Sequence, residues 1–225
     1  MAKKVNKKKD EFENVEQVLS TSEAFIEKYQ KQLLIGVSVI VVAVLVILAV
    51  RNFYIKPREV TAENEMYKAQ LHFATDSFNL ALHGDGINFI GFKEIVSDYG
   101  ITPSGNLAAA YAGICYYKTG DYQNAIKFLS QFSGDDTYLT TSVTGLIGDS
   151  YVELKETEKA VSYFEKAASL KNEVLSPVYL KKAGLAYESL NQPAKAEKSY
   201  TTIKEVYPSS QEARDIDKYI ARVSK

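Results

Sequence analysis

The chain has 225 residues and a formal net charge of −1 at pH 7, with 27 Lys and Arg against 28 Asp and Glu. That balance leaves no basic face of the size that nucleic-acid binding requires. A single cysteine, Cys115, excludes an intrachain disulfide.

Residues 1–32 form a cytoplasmic tail in this reading. The first eleven are rich in Lys and acids and are expected to be disordered. Phe12, Val15, Val18 and Leu19 then recur at helical spacing. Ser20-x-x-Glu23 matches a capping box, which predicts a second helix with Phe25, Ile26 and Tyr29 on one face. Two roles stay open for this stretch: a short amphipathic helix for an interface or partner, or a solvated stem.

Eighteen residues, Leu33 to Val50, then carry no charge. Four Leu, three Ile and seven Val lie among them. Together they favour bilayer insertion by roughly 6 kcal/mol. As a helix the run covers about 27 Å, close to a hydrocarbon core of about 30 Å. It is too long for a strand, and no A-x-A cleavage pattern follows it. The expectation is an uncleaved anchor over 33–55, with Phe53, Tyr54 and Ile55 in the interface and Arg51 snorkelling outward. Charges beside the span do not decide topology. Lys3, Lys4, Lys7, Lys8 and Lys9 on a short tail favour a cytoplasmic N-terminus, and a long C-terminal part crosses largely regardless of charge.

Residues 56–225 read as one all-α domain of stacked helix pairs. Gly113, Gly148 and Gly184 recur at spacings of 35 and 36. Tyr116, Tyr151 and Tyr187 each follow three later, and Ala125, Ala160 and Ala196 nine after those. Leu129, Phe164 and Tyr200 come four later again. A small residue lets two antiparallel helices approach, the Tyr packs one turn on, and the Ala faces back from the second helix. The residue four beyond plugs the joint to the next pair. TGD, KET and NQP mark the turns. Such pairs cannot bury their apolar faces alone and must stack.

These positions, with Pro208 eight after Tyr200, resemble the tetratricopeptide repeat. Copies are expected over 106–140, 141–176 and 177–210, with a degenerate repeat over 62–105 and a capping helix over 211–225. In the degenerate repeat, Met66, Ala69, Gln70, Phe73, Ser77 and Leu80 predict one long helix broken at Asp85-Gly86, and Phe89–Val96 a short second one. The first clear copy departs from the pattern at Leu129 and Phe132, so its joint to the second is expected to be looser or repacked.

The whole layout, a single span followed by a long helix and such repeats, resembles the YfgM-type family of ancillary subunits of the SecYEG translocon of Gram-negative bacteria. Membership would imply an inner-membrane protein with a periplasmic repeat domain. Its implied partners are the translocon and a membrane-anchored periplasmic chaperone of the prolyl-isomerase type.

Catalytic chemistry is not evident. His72 and His83 have no Cys or carboxylate cluster at metal-ligand spacing. His83 before Gly84-Asp85-Gly86 reads as a helix-ending turn, and Cys115 as a small core residue. No phosphate loop appears. No enzyme activity, cofactor, metal or small-molecule substrate is expected.

Solenoids of this kind bind along the groove lined by the first helix of each pair. The family's groove offsets fall on Leu107, Ala110, Ile114, Tyr117 and Lys118, then on Ser142, Gly145, Asp149, Val152 and Glu153, then on Val178, Lys181, Leu185 and Glu188. The Lys and Asn set that clamps a C-terminal carboxylate in chaperone-binding relatives is missing, with Ala110 and Ile114 in two of its places. The groove is expected to hold an apolar helix or extended segment, unless the long first helix already fills it. The functional expectation is a scaffold at the secretory translocon. An envelope-assembly or cell-division adaptor is the alternative, and a membrane-tethered enzyme a disfavoured third.

Overall fold

A computed structural model of the protein describes residues 28–224. The tail features at Phe12 to Ile26 lie outside the described residues. The chain divides into two units, with the boundary between Tyr54 and Ile55.

In the first unit, helix α1 covers 28–49 and leads into a wide π turn, Val50–Ile55. The run lacks Pro and has one Gly, and helix closes every backbone hydrogen bond within the segment. It is long and apolar enough to cross a membrane, and none of its apolar window is buried against protein. That exposure sets it apart from the core helix of a soluble domain.

The second unit contains α2 (Lys56–Ala74), α3 (Phe78–His83), α4 (Phe92–Tyr99), α5 (Pro103–Lys118) and α6 (Tyr122–Leu129). It continues with α7 (Thr137–Glu153), α8 (Thr157–Ser169), α9 (Leu175–Ser189) and α10 (Pro193–Val206). A 3₁₀ turn, Glu212–Asp215, and α11 (Ile216–Val223) close it. Each helix from α4 to α10 packs on the next, and α11 packs on α10.

The expected long helix through Leu80 is in fact two. It stops at Ala74, and α3 starts afresh at Phe78. Asp76 takes a left-handed conformation (φ 57°), and the Thr75 hydroxyl and Ser77 N–H both donate to the His72 carbonyl at 3.0 Å. Short polar side chains offer the backbone these local partners, which outcompete helix continuation. The second element also starts later than predicted, at Phe92 after Gly91. Asp85 orders the turn between them by accepting from the N–H groups of Ile87, Asn88 and Phe89. The carboxylate of Glu59 on α2 accepts from the Ser104 N–H and hydroxyl at the start of α5, where a helix dipole favours negative charge.

The repeat residues explain the packing of the last three pairs. A Cβ at Gly113, Gly148 or Gly184 would collide with Leu129, Phe164 or Tyr200 respectively, so each pair closes on its own ring or Leu. Ala125, Ala160 and Ala196 are completely buried. Phe164 also stacks on Tyr179, and Tyr200 packs at a tilt on Tyr219, which carries the contact into the following element. The pairs turn at Gly120, Lys155 and Asn191, all with positive φ. In each case the next N–H reaches back to the Tyr carbonyl: Asp121 to Tyr116, Glu156 to Tyr151, Gln192 to Tyr187. This is the Schellman closure, repeated three times. At the joint after the first pair, Asn106 holds the loop at Ser133 through two hydrogen bonds of 2.6 and 2.9 Å. Cys115 is fully buried, and burial pushes its thiol up to about 12.

Candidate protein-binding groove

The first helices α5, α7 and α9 bring most of the expected groove residues onto neighbouring turns, but not all of them to solvent. Ala110 is 1% exposed, sealed in the cluster that joins α2, α3, α4 and α5. Leu107, Ile114 and Tyr117 are half-buried against the same cluster, and Lys118 is exposed at the end of α5. Gly145 is buried under Tyr179, and Ser142 is half-buried. Tyr117 lies close enough to α7 to feel its carboxylates: burial first, then Asp149 and Glu153, push its phenol up.

An open cleft of about 350 Å³ lies between α7, α8 and α9. Asp149, Val152, Lys182 and Leu185 line it, with Phe164 and Thr157 from α8. Val152 and Leu185 are 46% and 43% exposed, so two aliphatic side chains stand in water beside the opening. Lys182 Nζ donates to both oxygens of Asp149 at 2.7 Å, which links α9 to α7. The same ammonium lies 5.4 Å from the Tyr179 ring centre and 5.8 Å from that of Phe164. The cleft therefore offers apolar contact next to a polar pair whose charges are already matched.

Farther along α9 the other expected residues serve the C-terminal cap. Lys181 pairs with Asp215 at 2.9 Å and lies over the Tyr219 ring. Val178 lines a separate cleft of about 540 Å³ with Val174, Val206 and Tyr207. Glu188 accepts from the Tyr200 hydroxyl at 2.5 Å and from Arg222 at 2.6 Å. Partial burial disfavours the Glu188 carboxylate, but the bonds from Arg222 and Tyr200 outweigh it and hold its pKa below 4.5. A depressed carboxylate contributes stability that is present above its unfolded pKa and lost as pH falls through the folded value. Thermal melts should thus show a drop in Tm below about pH 4.5, and Glu188→Gln should make that drop shallower than in the parent.

Sequence reasoning missed a cleft of about 640 Å³ on α8, α9 and α10. There Glu165 accepts from the Tyr187 hydroxyl at 2.7 Å, and Lys195 lies over the Tyr187 ring. Burial, then the bond to Glu165, pushes that phenol up to about 12. The offsets carried over covered first helices only. The signal present was exposed Val206 at the end of an otherwise polar face.

Stacked helix pairs in one Gly, Ala and ring register define an α-solenoid. The chain carries tetratricopeptide repeats: models of the tetratricopeptide repeat match residues 111–134, 145–174 and 179–210. Among solved structures, a MamA protein aligns at 18% identity and a TM-score of 0.54, over 73% of this chain and 86% of that one. A second MamA structure gives 20% identity and a TM-score of 0.49, over 69% and 92%. TPR-like repeats of a putative kinesin light chain from Podosopora anserina give 12% and 0.46, over 75% and 84%. The first of these likenesses supports the fold and nothing finer. No curated protein matches the sequence.

Proposed function

We propose that the protein is a membrane-anchored scaffold whose repeat unit grips a polypeptide segment in the cleft between α7 and α9. The observation that carries this is the pair of exposed aliphatics, Val152 and Leu185, flanking a fully matched Asp149–Lys182 pair. An apolar helix or extended segment gains burial there without stranding a charge. The uncovered apolar helix α1 supports an anchor over 33–55, and the Lys-rich short tail before it favours a cytoplasmic N-terminus and an extracytoplasmic repeat unit. The layout resembles YfgM-type subunits, so the proposed site of action is the bacterial inner membrane, at a SecYEG-type translocon and its membrane-anchored periplasmic chaperone. No chemistry is assigned to the protein itself.

Val152→Glu and Leu185→Glu test the cleft. Each places an unpaired charge where the segment must dock, at a cost of about 1.4 kcal/mol or more, tenfold in affinity. Co-purification of translocon subunits from detergent extracts should fall at least about tenfold, with the melting curve of each variant unchanged. Equal recovery from folded variants would remove the cleft from the binding surface.

A further inference from the structure

Helix α2 carries two apolar stripes, and the repeat unit uses one. Ala62, Met66 and Ala69 are buried in the domain, and Phe73 packs with them. On the opposite side Val60, Asn64, Tyr67, Leu71 and Ala74 are all exposed, the three largest apolar ones at 62%, 63% and 52%. Their spacing is four, three, four, three, the d-a-d-a-d seam of a coiled coil. In that register the buried Ala62 and Ala69 fall at f, the position farthest from the seam.

We infer that this stripe is the seam of a parallel pair formed with α2 of a second copy of the chain. Three observations select that occupant. Asn64 falls at an a position within the stripe, where a single Asn specifies two parallel strands in register by bonding to its own counterpart. Glu63 falls at g and Lys68 at e of the next heptad, the two positions that meet across a parallel pair, and their charges are opposite. Lys68 Nζ donates to Glu65 and to the Asn88 carbonyl, which leaves one N–H for Glu63 of the second copy. A lipid surface would have no use for an Asn in the stripe or for flanks of mixed sign.

The seam is short, since 19 residues give fewer than three heptads. Isolated coils of that length are marginal. The proposed anchor changes this, because two copies held in one bilayer share a direction and a high effective concentration. The parallel sense of the pair rests on that anchor.

The test is cysteine cross-linking of the full chain in its own membranes. Leu71→Cys and Asn64→Cys should each give an oxidant-dependent, reducible species of twice the 25.1 kDa chain mass. Ala221→Cys, exposed on α11, should give none above the parent, whose Cys115 is buried. Tyr67→Glu in the Leu71→Cys background should cut the dimer at least tenfold. No dimer from Leu71→Cys, a dimer equal to that from Ala221→Cys, or an adduct of another mass would each overturn the pairing. Carbonate extraction of the parent judges the anchor separately: a chain released into the soluble fraction sinks the anchor, whatever the cross-link shows.

Discussion

Phe164→Ala is expected to destabilise the repeat unit by about 3–5 kcal/mol and to split its unfolding into two steps. Phe164 is 2% exposed and lies against Gly148 on one side. On the other side its ring stacks on Tyr179 at 6.1 Å between centres. It therefore holds α8 to α7 and to α9 at once. Removing the ring leaves a cavity that the Gly148 backbone cannot fill, because that glycine has no side chain to move in. A solenoid contacts only its neighbouring repeats, so loss at the middle uncouples the ends. The buried residues already fall into an N-terminal cluster around Phe92 and Leu129, a middle one around Phe164, and a C-terminal one around Tyr200. Urea unfolding followed by far-ultraviolet circular dichroism should show one transition in the parent and two in the variant, the first at markedly lower urea. A single transition displaced by less than about 1 kcal/mol would mean that Phe164 is not the joint.

The second large effect concerns the anchor. Val42→Arg with Leu45→Arg puts two guanidinium groups near the centre of the apolar run. Each costs about 2.5–3.5 kcal/mol on the insertion scale, together enough to cancel the roughly 6 kcal/mol that the run supplies. The doubly substituted chain should move from the carbonate-resistant membrane pellet to the soluble fraction, while its repeat unit keeps the parent's circular dichroism. Retention in the pellet would show that something other than the apolar run holds the protein at the membrane.

The repeat register was legible because it rests on close contacts that only certain residues allow. Gly148 and Ala160 are small since Phe164 and the facing helix leave no room, and such constraints leave a fixed spacing in the chain. The end of α2 was not legible from periodicity, because Phe73, Ser77 and Leu80 keep helical spacing across the break. The stop is set by Thr75 and Ser77 bonding back to His72 and Asp76 to Phe73, a local signal that the apolar pattern masks. Groove exposure was harder still. Ala110 and its counterpart Gly145 stand at groove offsets in successive copies, yet both are sealed, while Val152 at another of the offsets is open. Ala110 is covered by the cluster around α2, α3 and α4 and Gly145 by Tyr179 of α9, tertiary facts that one repeat's sequence does not carry. The Asp149–Lys182 pair likewise joins residues 33 apart on neighbouring first helices, and only the stacked geometry brings them together.

A scaffold of this kind must hold polypeptides in the cleft between α7 and α9. Photo-cross-linking in intact cells tests this most directly, with the reactive side chain placed at position 185 in the cleft or at position 162 on the outer side of α8. Discrete adducts with translocon or chaperone polypeptides from position 185, lost on adding Val152→Glu and missing from position 162, are the predicted result. Adducts of equal yield from both positions, or none from position 185, would contradict it.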